Sequence, residues 1–184
     1  MLPELYALSQ LTENFKSKAI KLKSWDLTPR QICDLELVMN GGFYPLDGFL
    51  RQKDYEEVVE NMRLANGKIW PIPITLDVSK DFADTVKTKQ DIALRDQEGV
   101  ILAILSISDK WVPDKKREAK KVFGSDDAAH PGVHYLNNLA GPIYLGGKIT
   151  GIQKPVHYDF RGRRNTPNEL RSYFQKLGWS QIVA

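Results

Sequence analysis

The sequence predicts an α+β fold, in which a β-rich, barrel-like domain with peripheral helices is followed by the beginning of a second, α/β domain. Apolar residues recur at helical spacing between residues 29 and 62. From residue 66 onward the spacing changes to two, which is typical of half-buried strands. A new helix-capping signal follows a polar, glycine-containing stretch near residue 160, and this indicates a domain boundary.

The first strong helix signal stands at Thr28. This hydroxyl residue precedes Pro29 and lies three positions before Gln31, which is the arrangement of an N-cap, a first-turn proline and a capping box. Apolar residues follow at helical spacing, and Asn40-Gly41-Gly42 supplies residues that tolerate the left-handed conformation that ends helices. We therefore expect a helix from Pro29 to Met39.

A second amphipathic helix is predicted over Asp54–Met62. Its apolar and polar positions separate onto opposite faces at a period of 3.6 residues. The predicted buried face consists of Val58, Val59 and Met62, and the predicted solvent face of Glu56, Glu57 and Glu60.

The predicted β-rich part begins at Asn66-Gly67, a dipeptide that favours a tight turn because both residues adopt positive φ readily. Alternating apolar residues over 72–78 then indicate a strand with one buried face. Pro71 and Pro73 lie on the opposite face and cannot donate ladder hydrogen bonds. We therefore expect this strand to begin irregularly or to run along a sheet edge.

Two hairpins are predicted further along the chain. Residues 91–95 and 100–108 flank a four-residue turn, and the second arm is apolar on both faces, which is typical of a central strand. Residues 142–153 are also apolar, but Gly146-Gly147 divides them, and we interpret this as another hairpin. Between the two hairpins we predict a polar helix over 114–123 that ends at Gly124 and exposes a solvated lysine face, Lys115, Lys116, Lys120 and Lys121.

The capping signal Thr166-Pro167-Asn168-Glu169 opens the last predicted helix, which ends at Leu177-Gly178 and leads into a strand pattern over 179–184. We therefore divide the chain into a domain over 1–165 and the beginning of another over 166–184. An unpaired apolar strand exposes backbone donors and acceptors, so we expect further polypeptide to continue from Ala184.

Composition limits the possible functions. The chain is 42% hydrophobic and 27% charged, within the ordinary globular range, and its net charge of +3 does not indicate a polyanion partner. Neither a signal peptide nor a membrane-spanning stretch is recognisable. The single cysteine, Cys33, lies among apolar residues, and we expect it to be buried and unreactive. These features favour a cytoplasmic protein with neither a membrane nor a nucleic-acid partner.

The segment from Asp34 to Leu50 resembles the N-terminal signature of ATP sulfurylases (sulfate adenylyltransferases). Its most specific part reads Asn40-Gly41-Gly42-Phe43-Tyr44-Pro45-Leu46-Asp47-Gly48-Phe49-Leu50. The resemblance continues through residues 62–78 and 128–132 and the Thr166 helix, so it covers nearly the whole chain. It implies a PUA-like N-terminal domain followed by the first helix and strand of a nucleotide-binding α/β catalytic domain.

ATP sulfurylases join sulfate to the α-phosphorus of MgATP and release pyrophosphate. The family's catalytic signature, Gln-x-Arg-Asn-Pro-x-His, would follow the strand that matches residues 180–184, and this sequence does not contain it. Such a displacement needs cationic and hydrogen-bonding groups that hold two anions in line. The resemblance therefore assigns no catalytic, cofactor-binding or metal-binding residue to this chain. It implies an accessory domain, inactive alone, that contacts its own catalytic domain in a homo-oligomeric enzyme.

Three motifs suggest ligand sites but have simpler interpretations. His130 and His134 have the spacing of a helical zinc site, yet Pro131-Gly132 between them argues against a continuous helix. His157 has no nearby cysteine or second histidine. Gly146-Gly147-Lys148 lacks the earlier glycine and the following Ser/Thr of a phosphate-binding loop. We expect the aromatic turn, with Phe43, Tyr44 and Phe49, to pack against the barrel or a neighbouring domain rather than to bind a ligand.

Two alternatives remain open. The chain could be a free-standing PUA-like RNA-binding module, with phosphates bound by one of two basic clusters, Lys16, Lys18, Lys21 and Lys23 or Arg161, Arg163 and Arg164. Against this, both clusters are small and separated, whereas a dedicated RNA-binding protein is expected to show a more basic face with exposed aromatic residues that stack on bases. The chain could also be a stand-alone homologue that serves as the partner of another subunit.

Overall fold

A computed structural model describes residues 1–182, and its centre is a six-stranded sheet. The strands are β1 Ser24–Asp26, β2 Gly48–Phe49, β3 Leu76–Val78, β4 Asp91–Arg95, β5 Ile101–Trp111 and β6 Ile143–Gly151. The α-helices are α1 Thr12–Ala19, α2 Pro29–Met39, α3 Gln52–Asn61, α4 Lys80–Thr85, α5 Lys115–Phe123, α6 Pro131–His134 and α7 Pro167–Lys176. A π-helical turn, Tyr135–Leu139, continues α6, and short 3₁₀ turns cover Ser9–Leu11 and Arg161–Arg163.

The sheet is organised around two long central strands, β5 and β6, which pair in antiparallel fashion. On the far side of β5 lies β4, and β1 pairs with β4 in parallel. On the far side of β6 lie β2 and β3, each paired with a different part of that strand. The largest buried cluster joins side chains of this sheet to α2 and α3, so the helices cover the sheet rather than form a separate bundle.

Helix α2 confirms the prediction from its capping residues. The hydroxyl of Thr28 accepts a hydrogen bond from the Gln31 amide, and the Gln31 side chain accepts one from the Thr28 amide, so the capping box is complete. Leu35, Val38 and Met39 are buried against the sheet. Cys33, however, lies on the exposed side of α2, and the expectation that it is buried was wrong.

Helix α3 corresponds to the second predicted helix, but its buried face differs at one residue. Val58 and Val59 are buried as expected, but Met62 is 57% exposed. The reason is that the helix ends at Asn61 and Met62 takes the left-handed C-cap conformation, with φ of 51°. The third buried residue of the helix is instead Tyr55, which lies two turns before Met62.

The β-rich region agrees with most of its predictions. The 66–67 turn is present, and strand β3 is restricted to Leu76–Val78 at the edge of the sheet, after an irregular start in which Ile72 is exposed. Strands β4 and β5 form the predicted hairpin, with Gly99 at φ of 85° in the turn, and β5 is central. β5 extends three residues further than predicted, to Trp111.

The hairpin predicted around Gly146-Gly147 is wrong, because these residues lie inside one continuous strand, β6. The glycines are needed there for close approach of backbones. A Cβ atom on Gly147 would stand 2.0 Å from the Ser106 carbonyl oxygen of β5, and one on Gly146 would stand 2.3 Å from the Leu50 carbonyl oxygen. A Cβ atom on Gly48 of β2 would likewise stand 1.9 Å from the Gly147 carbonyl oxygen. Three chain segments therefore cross at a place where no side chain fits.

Helix α5 begins at the N-cap Asp114 and ends at Gly124, as predicted. The predicted lysine face of this helix is only partly exposed to solvent. Glu118 is buried, and the Lys115 Nζ donates to the Ala140 carbonyl oxygen at 2.7 Å. Lys116, Lys120 and Lys121 are exposed, in agreement with the prediction.

Helix α7 also confirms its capping signal, with a complete box between Thr166 and Glu169 and with Gly178 at φ of 69° after the last turn. Residues 179–182, where a strand pattern was predicted, have no regular structure, and Val183 and Ala184 lie outside the described residues. The domain boundary at residue 165 remains a prediction. Within residues 1–182, no helix is both long and apolar enough to cross a lipid bilayer.

Substitution of Gly147 by alanine should destabilise the fold. The added methyl group collides with the backbone of β5 rather than with a flexible side chain, so we expect the free energy of unfolding to fall by about 1–3 kcal/mol, the usual cost of overpacking. Gly162→Ala is the matched control, because a Cβ atom there would meet nothing within 4 Å. Urea unfolding of both variants provides the measurement, and equal stabilities would contradict the close-approach explanation.

Candidate functional site

A cluster of charged groups, partly buried, lies where α2 meets β3. The Arg30 guanidinium on α2 donates to Asp34 Oδ2 and to Asp77 Oδ1, both at 2.5 Å. It also donates to the Tyr135 hydroxyl at 2.9 Å and to the Thr75 carbonyl oxygen at 3.2 Å. All three nitrogens of this guanidinium are therefore engaged by acceptors of the protein itself.

Asp77 is the common partner in this network, although it lies within an apolar strand and is only 4% exposed. Its Oδ1 also accepts from Gln31 Nε2 at 3.0 Å, and its Oδ2 accepts from the Gly141 amide at 2.7 Å. The fully buried Gln31 thus serves both the capping box and Asp77. One carboxylate consequently connects α2, β3 and the segment that leads into β6.

The charges of this network alter each other's ionisation. Burial tends to lower the pKa of Arg30, but Asp34, Tyr135 and Asp77 outweigh it, so the pKa of the guanidinium is raised. Burial raises the pKa of Asp34, and the nearby Arg30 opposes that shift. Arg30 is therefore a permanently charged group whose partners are fixed carboxylates.

A second buried group lies beside the first. Glu118 on α5 accepts hydrogen bonds at Oε2 from the hydroxyls of Tyr55 at 2.9 Å and Tyr144 at 3.1 Å. Burial raises the pKa of Glu118 above its ordinary value of 4.5, while the two tyrosines and the charge of Lys115 oppose the rise. The rings of Tyr55, Tyr144 and Trp111 contact one another with centroids 5.5–5.8 Å apart. The carboxylate thus closes an aromatic cluster between α3, α5 and the sheet.

Both groups line one cavity of 120 Å³, whose wall includes Arg30, Asp77, Glu118 and Tyr144. This cavity has the features of a small polar site, namely enclosed charge and shifted pKa values. The cation among these residues, Arg30, is nevertheless neutralised within the protein, because two carboxylates bind it. We therefore interpret the network as one that holds the fold together.

The histidines singled out in the sequence lie apart from this cavity's charged groups. His130 is the N-cap of α6, where its Nδ1 accepts from the Gly132 amide at 3.1 Å, and His134 Nδ1 lies 3.1 Å from Asn138 Nδ2. Helix α6 begins at Pro131, directly after His130, so it contains His134 but not His130, and Pro131-Gly132 forms its first turn rather than a break. His157 Nε2 lies 2.8 Å from Glu36 Oε2 on α2. Over residues 1–182 no cluster of three or more potential metal ligands occurs.

The aromatic turn divides between interior and surface. Phe49 is buried in the main core, and Phe43 packs edge-on against Trp70 with centroids 5.6 Å apart. Tyr44 is 50% exposed, and the Lys68 ammonium lies 5.2 Å from its ring centroid. Next to this turn an apolar groove of 430 Å³ is lined by Asp34, Phe43, Trp70, Pro71, Ile72 and Ile74. Packing against the core of the domain is thus confirmed for Phe43 and Phe49, whereas Tyr44 faces outward.

Several residues of the two basic clusters are paired within the protein. Lys16 binds Glu13, Lys18 binds Asp91, and Lys23 donates to the Thr85 carbonyl oxygen. In the second cluster Arg164 binds Asp159, and Arg161 donates to the His157 carbonyl oxygen. A phosphate backbone would have to compete with these internal partners.

A family model described as a PUA-like domain matches residues 1–154. The chain belongs to the PUA-like domain family. The PUA-like fold that the sequence resemblance implied is therefore confirmed, with the six-stranded sheet as its centre.

The similarity to known proteins extends beyond the residues that the family model matches. A sulfate adenylyltransferase from Kluyveromyces lactis is 55% identical over 163 residues, which are 89% of this chain and 32% of that relative. Sulfate adenylyltransferases from Schizosaccharomyces pombe and Saccharomyces cerevisiae are 48% and 46% identical and cover 95% and 100% of the chain, each over 36% of the relative. The chain thus spans about a third of the length of the curated relatives it matches, and the resemblance to this enzyme family is confirmed.

A solved structure described as a hexameric APS kinase from Thiobacillus denitrificans is also similar, with a TM-score of 0.78 and 32% identity. The similarity covers 99% of this chain and 31% of that protein. Nearly all of the PUA-like chain, including α7, therefore has a counterpart within a larger polypeptide.

The interior network was missed by sequence reasoning. Asp77 stands between Leu76 and Val78 in a strand pattern, and Glu118 lies in a lysine-rich helix, so each looked like a solvent-facing residue. Alternation of this kind normally places the acidic residue on the solvent face, so the sequence carried no local signal that Asp77 is buried.

Replacement of Glu118 by glutamine should change how stability depends on pH. In the unfolded chain the carboxyl group loses its proton near 4.5, whereas in the folded protein burial holds the proton to higher pH. The wild-type protein therefore loses stability relative to Glu118→Gln as the pH rises above 4.5, and the difference becomes constant above the folded pKa.

Chemical denaturation of both proteins between pH 4 and pH 8, roughly the range over which a shifted carboxyl titrates, gives this difference directly. Below the ordinary pKa both proteins carry a neutral group, so that region is an internal control. Two stability curves that stay parallel over the whole range would contradict a raised pKa for Glu118.

Proposed function

We propose that this chain is the N-terminal accessory domain of a sulfate adenylyltransferase, an enzyme that converts ATP and sulfate to adenosine 5′-phosphosulfate and pyrophosphate. In this role the PUA-like domain supports the catalytic part of the polypeptide and contributes none of the groups that bind the two anions. The observation that carries the proposal is the similarity of nearly the whole chain to about a third of these enzymes, at 46–55% identity in the Saccharomyces and Kluyveromyces relatives.

The geometry of the interior supports an accessory role. Transfer of an adenylyl group to sulfate requires cations that face an open site and neutralise developing charge. The partly exposed guanidinium of Arg30 is held by Asp34 and Asp77, and the Lys115 ammonium is directed to a backbone carbonyl oxygen. These cations stabilise the domain and are not free to bind sulfate or nucleotide. MgATP is thus a substrate of the whole enzyme and not a cofactor of this domain.

The proposal includes the partners expected from the sequence. The first is the catalytic domain of the same polypeptide, and the exposed apolar groove beside Tyr44 and Ile72 offers a surface for such a contact. The second is further copies of the enzyme, a proposal supported by the hexameric description of the similar Thiobacillus protein. A cytoplasmic location and the absence of a nucleic-acid partner remain predictions.

A chimeric enzyme tests the proposal. The 163 matching residues of the Kluyveromyces lactis sulfate adenylyltransferase would be replaced by those of this chain. We expect the chimera to fold and to produce adenosine 5′-phosphosulfate at a rate of the same order as the parent enzyme, because a scaffold at 55% identity preserves its contacts. The 184-residue chain alone should release no pyrophosphate above background from ATP and sulfate.

The two measurements test different parts of the proposal. Pyrophosphate release by the isolated chain would show that it carries chemistry and is more than an accessory domain. A chimera that is folded by circular dichroism but inactive would argue against membership in this enzyme. The same chimera carrying Gly162→Ala is the control for a harmless change, since that position has open space around it.

A further inference from the structure

The N-terminal residues Leu2–Ala7 form an extended segment, here called the strap, that crosses three elements of the fold. The Leu5 amide donates to the Met39 carbonyl oxygen at the end of α2, at 2.8 Å. The Gly151 amide at the end of β6 donates to the Leu5 carbonyl oxygen at 2.7 Å, and the Ala7 amide donates to the Gly151 carbonyl oxygen at 2.8 Å. The middle of the strap is therefore fixed to the PUA-like domain by backbone hydrogen bonds.

The beginning of the strap is held by one side chain of α7. The Leu2 amide donates to Asn168 Oδ1 at 2.8 Å, and Asn168 Nδ2 donates to the Leu2 carbonyl oxygen at 3.0 Å. The carboxamide of Asn168 thus pairs with both backbone groups of Leu2, much as a neighbouring strand would. Its Nδ2 also lies 2.9 Å from Glu4 Oε1 and donates to it.

Little else attaches α7 to the domain. Not one of its residues is buried, and among residues 1–182 every long-range hydrogen bond of this helix involves Asn168. A cleft of 830 Å³ separates the rest of the helix from the domain, with Glu4 and Lys154 on one side and Leu170 and Tyr173 on the other. The helix is consequently attached at its first turn and open along its length.

We infer that Asn168 is a positioning residue, which clamps the strap and thereby sets the direction in which α7 leaves the PUA-like domain. The consequence for catalysis rests on the proposed function: in a sulfate adenylyltransferase this direction determines where the scaffold stands relative to the remaining polypeptide. Through Asn168 the strap and helix α7 are held together, although Leu2 and Asn168 are 166 positions apart in sequence.

The inference is tested on the 184-residue chain by the distance between two nitroxide labels. After Cys33→Ser removes the native thiol, labels are placed on the exposed positions Lys148→Cys in β6 and Gln175→Cys in α7. Pulsed electron spin resonance should give one narrow distance distribution for this protein. Asn168→Ala should abolish the narrow component and give a broad distribution, because the attachment of α7 is lost.

Two controls separate positioning from helix stability. Alanine has a higher helix propensity than asparagine, so Asn168→Ala does not melt α7. Arg171→Ala, an exposed change one turn further along, should keep the narrow distribution. Deletion of residues 1–4 removes the partners of Asn168 and leaves the Leu5 bonds intact, so it should give the same broad distribution, with no added effect of Asn168→Ala.

Amide exchange gives an independent readout at the other end of the clamp. The Leu2 amide should exchange roughly fivefold to tenfold faster in Asn168→Ala, as expected for the loss of one hydrogen bond. A narrow distribution that survives in Asn168→Ala or in the strap deletion would overturn the inference. Since no measurement uses enzymatic activity, failure here leaves the proposed function intact, and failure of the chimera leaves the clamp intact.

Discussion

The buried carboxylate of Asp77 is the interaction on which the arrangement of helices and sheet depends. It joins Arg30 and Gln31 of α2 to the edge strand β3 and to the Gly141 amide before β6. Strand β3 is only three residues long and follows an irregular segment that contains two prolines, so its ladder alone fixes it weakly. Removing one partner of a fully buried charge pair costs about 3–5 kcal/mol, and although Arg30 is partly exposed, the contacts of Asp77 favour the observed placement of α2 on the sheet.

The same interior supports the proposal that the domain supplies shape rather than chemistry to a larger enzyme. Its buried carboxylates are used by Arg30 and by the tyrosines around Glu118, and the close crossing of β2, β5 and β6 leaves no room for side chains. What remains for partners is the outer surface, namely the apolar groove beside the aromatic turn and the exposed helix α7. An accessory domain in a larger enzyme needs rigid internal geometry and free external surfaces, and this chain has both.

Elements whose signals are local in sequence could be predicted. The capping boxes at Thr28 and Thr166 fixed the start of two helices, and the glycines at 99, 124 and 178 marked turns or helix ends where positive φ is required. The recognisable signature from Asp34 to Leu50 pointed to the correct family. In each case the cause of the structure lies within a few residues of the signal.

Features that depend on distant partners could not be predicted. Gly146-Gly147 resembles a turn in sequence, because a glycine needed for close approach looks the same as one needed for positive φ. Asp77 and Glu118 find their partners 46 and 63 positions away, and no local pattern brings those residues together. Met62 was expected to be buried but is exposed, because the helix ends one residue earlier than predicted. Cys33 was expected to be buried but lies on the exposed side of α2.

A double-mutant cycle on Arg30 and Asp77 measures directly how far the fold depends on this pair. Arg30→Met, Asp77→Asn and the double variant would be compared with the wild-type protein by urea unfolding. We expect the double variant to lose less stability than the two single losses summed. The coupling should be about 1–2 kcal/mol, moderate for residues in contact because the Arg30 side chain is 32% exposed. Strictly additive losses would contradict the central place given to the Arg30–Asp77 pair.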